Sequence, residues 1–130
     1  GELTTAAWPD SAERVLELLP TLDRHSCDNE LRGRFVDELR DTELAHLFEH
    51  VTVELMALAG SPRSLKGETS WNFAEDGNGV YRVRVAYDLD LVALGALRHA
   101  AEVVEWSLGG MGERPDIQSI ARELQALRAV

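Results

Sequence analysis

The chain has 130 residues, enough for one domain with its own core, and 45% of them are apolar, the usual share for a globular protein. Asp and Glu outnumber Lys and Arg 23 to 13, a formal net charge of −10, which argues against nucleic acid and anionic lipid, since both demand a cationic surface. No apolar run approaches the roughly 20 residues that span a bilayer, no secretory leader is legible, and the single cysteine, Cys27, cannot form an intrachain disulfide; the composition points to a cytoplasmic protein that steers cationic ligands well.

Residues 1–10 form a lead-in. Asp10 is a good N-cap for a helix from Ser11 to about Leu19, which must stop before Pro20. TLDRHSCDN reads as loop and a short helix follows near Arg34–Leu39. Asp41 or Thr42 can cap a helix running to about Ala59 and ending at Gly60. SPRSLKGE is a loop. TSWNFAEDGNGVYRVRVAYD has the look of a hairpin turning in EDGNG, with Trp71 and Phe73 on one arm, Val83 and Val85 on the inner face of the other, and Arg82 and Arg84 opposite them, as a solvated face or a carboxylate holder. A helix from about Leu91 to Leu108 closes on Gly109 and Gly110. Residues 111–116 are a linker, and Asp116 caps a last helix from Ile117 to about Arg128. The expectation is a single α+β domain over 1–130, a small antiparallel hairpin sheet packed on helices in two layers.

The Thr42–Ala59 helix carries the sharpest motif. Its apolar stripe is Leu44, Leu47, Phe48, Val51, Leu55 and Leu58, at helical spacing. HLFEH (His46–His50) puts two histidines about 40° apart on nearly the opposite face, with Glu49 on one flank and Glu54 on the other. Val53 and Ala57 continue that face, which suggests that something covers it. Two imidazoles at i, i+4 can reach one zinc ion, and a neighbouring Glu can take a proton from metal-bound water. H-x-x-E-H is the inverzincin pattern; an ordinary solvated polar face gives the same letters. Likeness to inverzincins implies a third ligand from a later helix, here Leu91–Leu108, whose stripe reads Leu94, Leu97, Ala101, Val104 and Leu108. Glu102 and Glu105 lie off that stripe, and Glu54 is a further candidate. Of the remaining residues, His25 and Cys27 read as packing residues, His99 as surface, and Trp8, Trp71 and Trp106 as core or interface anchors.

The stretches LELLPTLDRHSC (16–27), GRFVDELRDTEL (33–44), AHLFEHVTVELMALAG (45–60), VYRVRVAYD (80–88), AAEVVEWSLGG (100–110) and PDIQSIARELQAL (115–127) together resemble, in order, the N-terminal domain of cyanophycin synthetase, an enzyme that makes an aspartate backbone with arginine side groups. HLFEHVTVEL looks like that family's H-x-x-E-H-x-x-x-E-L. The resemblance implies an α+β fold and, in some members, a metallopeptidase-like site that cuts the polymer. It would make His46 and His50 zinc ligands, Glu49 the catalytic base and Glu102 the third ligand, with Glu105 an alternative. The departures are the missing ligase domains and the family's basic G-x-T-R loop, in whose place SPRSLKGETS offers only Lys66 and Thr69. Two functions stand: a zinc peptidase-like hydrolase acting on cyanophycin or a related Asp/Arg peptide, and a non-catalytic domain that binds such a polymer or a separate ligase.

Overall fold

The computed structural model describes residues 3–25, 34–77 and 80–130. Two long helices organise it, α3 (Leu44–Leu58) and α5 (Asp90–Gly109). The stripe expected on α3 is the one that is buried: Leu47, Val51 and Leu55 are fully enclosed, with Met56 beside them, each side chain contributing roughly 1.5–3 kcal/mol. α5 packs along α3, but through a different face from the one its leucines suggest. It buries Val92, Ala93, Ala96, Ala100, Val103, Val104 and Ser107, while Leu94 is 62% exposed and Ala101 is also on the surface. Small side chains let two helix axes approach closely, so the alanine row faces α3 and the bulkier leucines are rotated off it. The rotation turns Glu102 and Glu105 to solvent.

Around this pair the core is completed by α1 (Ser11–Leu18), the 3-10 turn Pro20–Arg24, α2 (Phe35–Glu38) and α6 (Ile117–Leu127), which contribute Val15, Leu18, Leu22, Phe35, Ile120 and Leu124. Pro20 ends α1 as expected, whereas Asp10 makes no side-chain cap. Nor do Asp41 and Thr42 cap α3, whose N-cap position is Glu43. Asp116 does cap α6, accepting from the Ser119 N–H at 3.1 Å. α6 sits close on α5 because Gly95 makes room for it: a Cβ there would stand 2.6 Å from Leu124 Cδ2.

The sheet is antiparallel, β1 (Gly67–Ser70) against β2 (Arg82–Val85), with Gly67 opposite Val85 and Ser70 opposite Arg82. The α+β class therefore holds, but the first strand lies upstream of the one expected. Trp71 and Phe73 are not strand residues: β1 ends at Ser70, and a helical turn, α4 (Phe73–Asp76), begins at Phe73. Asn72 explains the switch: its Oδ1 accepts the Glu75 N–H at 3.2 Å and its carbonyl accepts the Asp76 N–H at 2.9 Å, the pairing by which an Asn competes with a strand ladder and opens a helix. Arg82 then donates to Asp76 and Glu75, at 2.7 and 3.1 Å. Along β2 the alternation is as read, Val83 and Val85 half-buried, Arg82 and Arg84 exposed. No helix among the described residues is long and apolar enough to cross a membrane.

Candidate functional site

The histidine face of α3 is not a solvated face. Glu49 is 5% exposed, His50 6% and Glu54 0%. Phe35 from α2 stacks flat on His50, ring centroids 3.7 Å apart at 11°, and stands edge-on to His46. His25, which follows the Pro20–Arg24 turn, closes the other side, its Nδ1 2.9 Å from His50 Nδ1.

The hydrogen bonds form one directed chain. Glu54 is an acceptor for two Arg63 nitrogens at 3.0 and 3.2 Å, for Thr21 Oγ1 and for His25 Nε2 at 2.8 Å. In the tautomer whose Nε2–H donates to Glu54 and whose Nδ1 carries no proton, His25 presents Nδ1 as an acceptor, and the proton between the two Nδ1 atoms then belongs to His50. That leaves the His50 Nε2 lone pair directed at His46 Nε2, 3.1 Å away. Thr42 Oγ1 lies 2.9 Å from His46 Nδ1, and a hydroxyl can serve either tautomer there. The carboxylate–imidazole–imidazole relay thus fixes which His50 nitrogen is offered to the cleft, the task that partners behind a ligand perform at metal sites.

Electrostatics follow from burial. Desolvation, helped by His46 and His25, lowers His50 to about 3, so it stays neutral across the physiological range. Burial would raise Glu54, but the bonds from His25, Arg63 and Thr21 outweigh it and hold the carboxyl down to about 2. Glu49 is raised, chiefly by desolvation, against the opposing bond from Thr69. That bond, Thr69 Oγ1 to Glu49 Oε1 at 3.0 Å, ties α3 to β1. Gly67 is needed for the same approach, since a Cβ there would lie 2.6 Å from Glu49 Cγ. Glu49 Oε2 is 3.6 Å from His50 Nε2. His46, Glu49 and His50 each offer one ligand atom, all within 4.8 Å of one another.

These groups open into a cleft of about 810 Å³ between α3 and β1. Its lining includes Val53 and Ala57, every residue from Leu65 to Trp71, the acids Glu38, Glu43 and Glu68, and the cations Arg24, Arg63 and Lys66.

A model of the cyanophycin synthase-like N-terminal domain matches residues 1–108. The chain belongs to that family. Its similar curated proteins are cyanophycin synthetases: that of Geminocystis herdmanii (strain PCC 6308) is 36% identical over 55 residues, 42% of this chain and 6% of the relative. Those of Trichormus variabilis (strain ATCC 29413 / PCC 7937) and Nostoc sp. (strain PCC 7120 / SAG 25.82 / UTEX 2576) are each 40% identical over 53 residues, 40% of this chain and again 6% of the relative. The chain thus spans a small fraction of the length of these synthetases.

Membership in this family overturns the expectation of a zinc peptidase-like hydrolase, because the relatives are named synthetases, not hydrolases. The role of Glu49 as catalytic base belonged to that reading and is not carried forward. The third-ligand expectation is corrected by geometry. Glu102 Oε2 lies 3.1 Å from His99 Nδ1, and the other nitrogen of His99 is held by Glu123 of α6; Glu102 and Glu105 line a separate groove with Trp8, Trp106 and Arg114. The alanine face that packs on α3 points both glutamates elsewhere. Arg82 holds Glu75 and Asp76 rather than standing ready for a ligand. Of the three tryptophans, Trp71 is 48% exposed, on the cleft rim. Sequence reasoning missed His25, Thr21 and Arg63 as partners of Glu54, reading His25 as a packing residue. Cys27 lies outside the described residues.

Proposed function

We propose that this domain binds an aspartate/arginine polymer, cyanophycin or a close relative, without reacting with it, and thereby serves a polymer-forming ligase. The observation that carries this reading is the mixed lining of the α3–β1 cleft: Arg24 and Lys66 suit the carboxylates of such a chain, Glu38, Glu43 and Glu68 its guanidinium groups. The family's synthetases supply the polymer's chemistry. Within this reading His46 Nε2, His50 Nε2 and Glu49 are assigned to a divalent cation, zinc by the preference of imidazole. The donors fit, being clustered within 4.8 Å with the tautomer of His50 set from behind. The ion would supply a fixed positive charge at the cleft floor; Glu102 and Glu105 take no part.

Isothermal titration tests the reading. The chain is titrated with a soluble aspartate oligomer bearing arginine side groups, and with poly-aspartate and poly-arginine of equal length. Binding of the mixed oligomer at least about tenfold tighter than either homopolymer, some 1.4 kcal/mol, is expected. Equal affinity for poly-arginine would reduce the interaction to the attraction of a −10 chain for any polycation.

A further inference from the structure

Among the described residues β1 has one partner, and the register shows which of its groups that partner leaves over. Ala86 N–H donates to Lys66 O at 2.9 Å, and Lys66 stands one step before the Gly67–Val85 pair. In an antiparallel ladder, hydrogen-bonded pairs alternate with non-bonded ones. Lys66, Glu68 and Ser70 therefore direct their N–H and C=O groups to β2, and Gly67 and Thr69 direct theirs away from it. No other element among the described residues receives a backbone bond from Gly67 or Thr69. The open edge faces the cleft: all of β1 lines it and no residue of Arg82–Val85 does. Opposite runs α3, offering His46, Glu49, His50, Val53 and Ala57 in order along its axis. The result is a trough with a strand edge on one wall and a helix face on the other.

We propose that the open edge of β1 takes an extended polypeptide backbone as an added strand, paired with the main chain of Gly67 and Thr69 and laid along α3. A strand edge is recognised by main-chain amides, whatever the side chains. The inference rests on the polymer-binding reading and names what that reading leaves open, the part of the polymer that is held: its peptide backbone, with charged side groups reaching Arg24, Lys66, Glu43 and Glu68 on the rim. A two-stranded sheet gains most from a third strand, since two strands alone are marginal.

Amide hydrogen exchange followed by NMR tests this, using a tetramer of aspartate with an arginine on each side chain and a second tetramer whose backbone amides are N-methylated. Saturation with the first should slow exchange at Gly67 and Thr69 by about tenfold or more, as for amides newly bonded in a sheet. Residues paired with β2 should change little, and N-methylation should weaken binding by about tenfold, the loss of one to two net hydrogen bonds. Binding without protection at Gly67 and Thr69 overturns the strand-addition inference and leaves the polymer-binding reading standing. Absence of binding by either tetramer overturns both. Protection of the two amides in the free protein that grows with protein concentration assigns the edge to a second copy of this chain and also overturns the inference.

Discussion

Two clusters in this molecule use the same residue types. On α3, His46, His50 and Glu49 gather with His25 and Glu54 behind them; between α5 and α6, His99 joins Glu102 and Glu123. The second is spent on itself: each nitrogen of His99 meets a different carboxylate, on side chains about half exposed. In the first, Glu54 and His25 take up the far nitrogen of His50 and leave Nε2 facing Nε2 across 3.1 Å. A binding centre needs convergent lone pairs, and convergence is set by partners behind the ligands, not by the count of histidines and carboxylates.

The comparison breaks most visibly in stability. Glu54→Ala strips a buried carboxylate from His25, Thr21 and Arg63, and removing one member of a buried charged set costs about 3 kcal/mol, readable as a fall in the urea midpoint. Glu123→Ala, an exposed partner, should stay within about 0.5 kcal/mol. An equal loss in both would mean that burial does not separate the clusters.

Zinc affinity comes next. His25→Phe touches no proposed ligand atom, yet loss of a partner behind a ligand typically weakens a metal about 10–100-fold; competition with a chromophoric chelator measures it. An unchanged affinity would remove His25 from the site.

The pH dependence of stability is smaller. His50 is held at about 3 against about 6.5 in an unfolded chain. Its folded value is depressed, so its contribution is complete above pH 6.5 and declines as pH falls toward 3. The slope averages about 1 kcal/mol per unit between pH 6.5 and 5.5 and approaches about 1.4 below that. Glu49, raised by burial, acts in the opposite sense just above its ordinary value, so the cleanest window is pH 6.5 to 5.5. Denaturation across that window should show the slope in wild type and in His99→Gln, and its loss in His50→Phe, which keeps a ring against Phe35. A slope that survives His50→Phe belongs to another group.

The smallest effect sharpens the contrast. Glu102→Gln and Glu105→Gln should each leave zinc affinity within about twofold, under 0.5 kcal/mol. A large loss in either would restore the third ligand that the α5 geometry removes.

Legibility in the sequence followed side-chain size. Leu47, Val51 and Leu55 marked the buried face of α3 because large aliphatic residues bury where they recur at helical spacing. On α5 the same reasoning pointed to Leu94, but Ala96 and Ala100 face the neighbour because close packing favours small residues. Glu102, taken as third ligand from the family resemblance, lies on the solvent side of the same rotation. Strand β1 was hidden because GETS is polar and pairs by backbone, while Asn72 drew Phe73 into a helical turn. Within the cluster, His46, Glu49 and His50 were visible from spacing alone, while His25 reaches His50 and Glu54 across 25 and 29 residues, contacts that no local pattern announces. Spacing also could not tell a binding site from a hydrolytic one, since both ask for the same ligands.

The central claim is that the α3–β1 cleft, not the groove beside α5, holds an aspartate/arginine chain. Paired titrations test it directly, with the arginine-bearing aspartate oligomer added to Arg24→Glu/Lys66→Glu and to Glu102→Gln/Glu105→Gln. All four positions are exposed, so folding is not at stake. The account predicts that the first variant binds at least about tenfold more weakly than wild type and the second within about twofold, a separation of roughly 1 kcal/mol or more. Undiminished binding by the first variant together with loss in the second would contradict it.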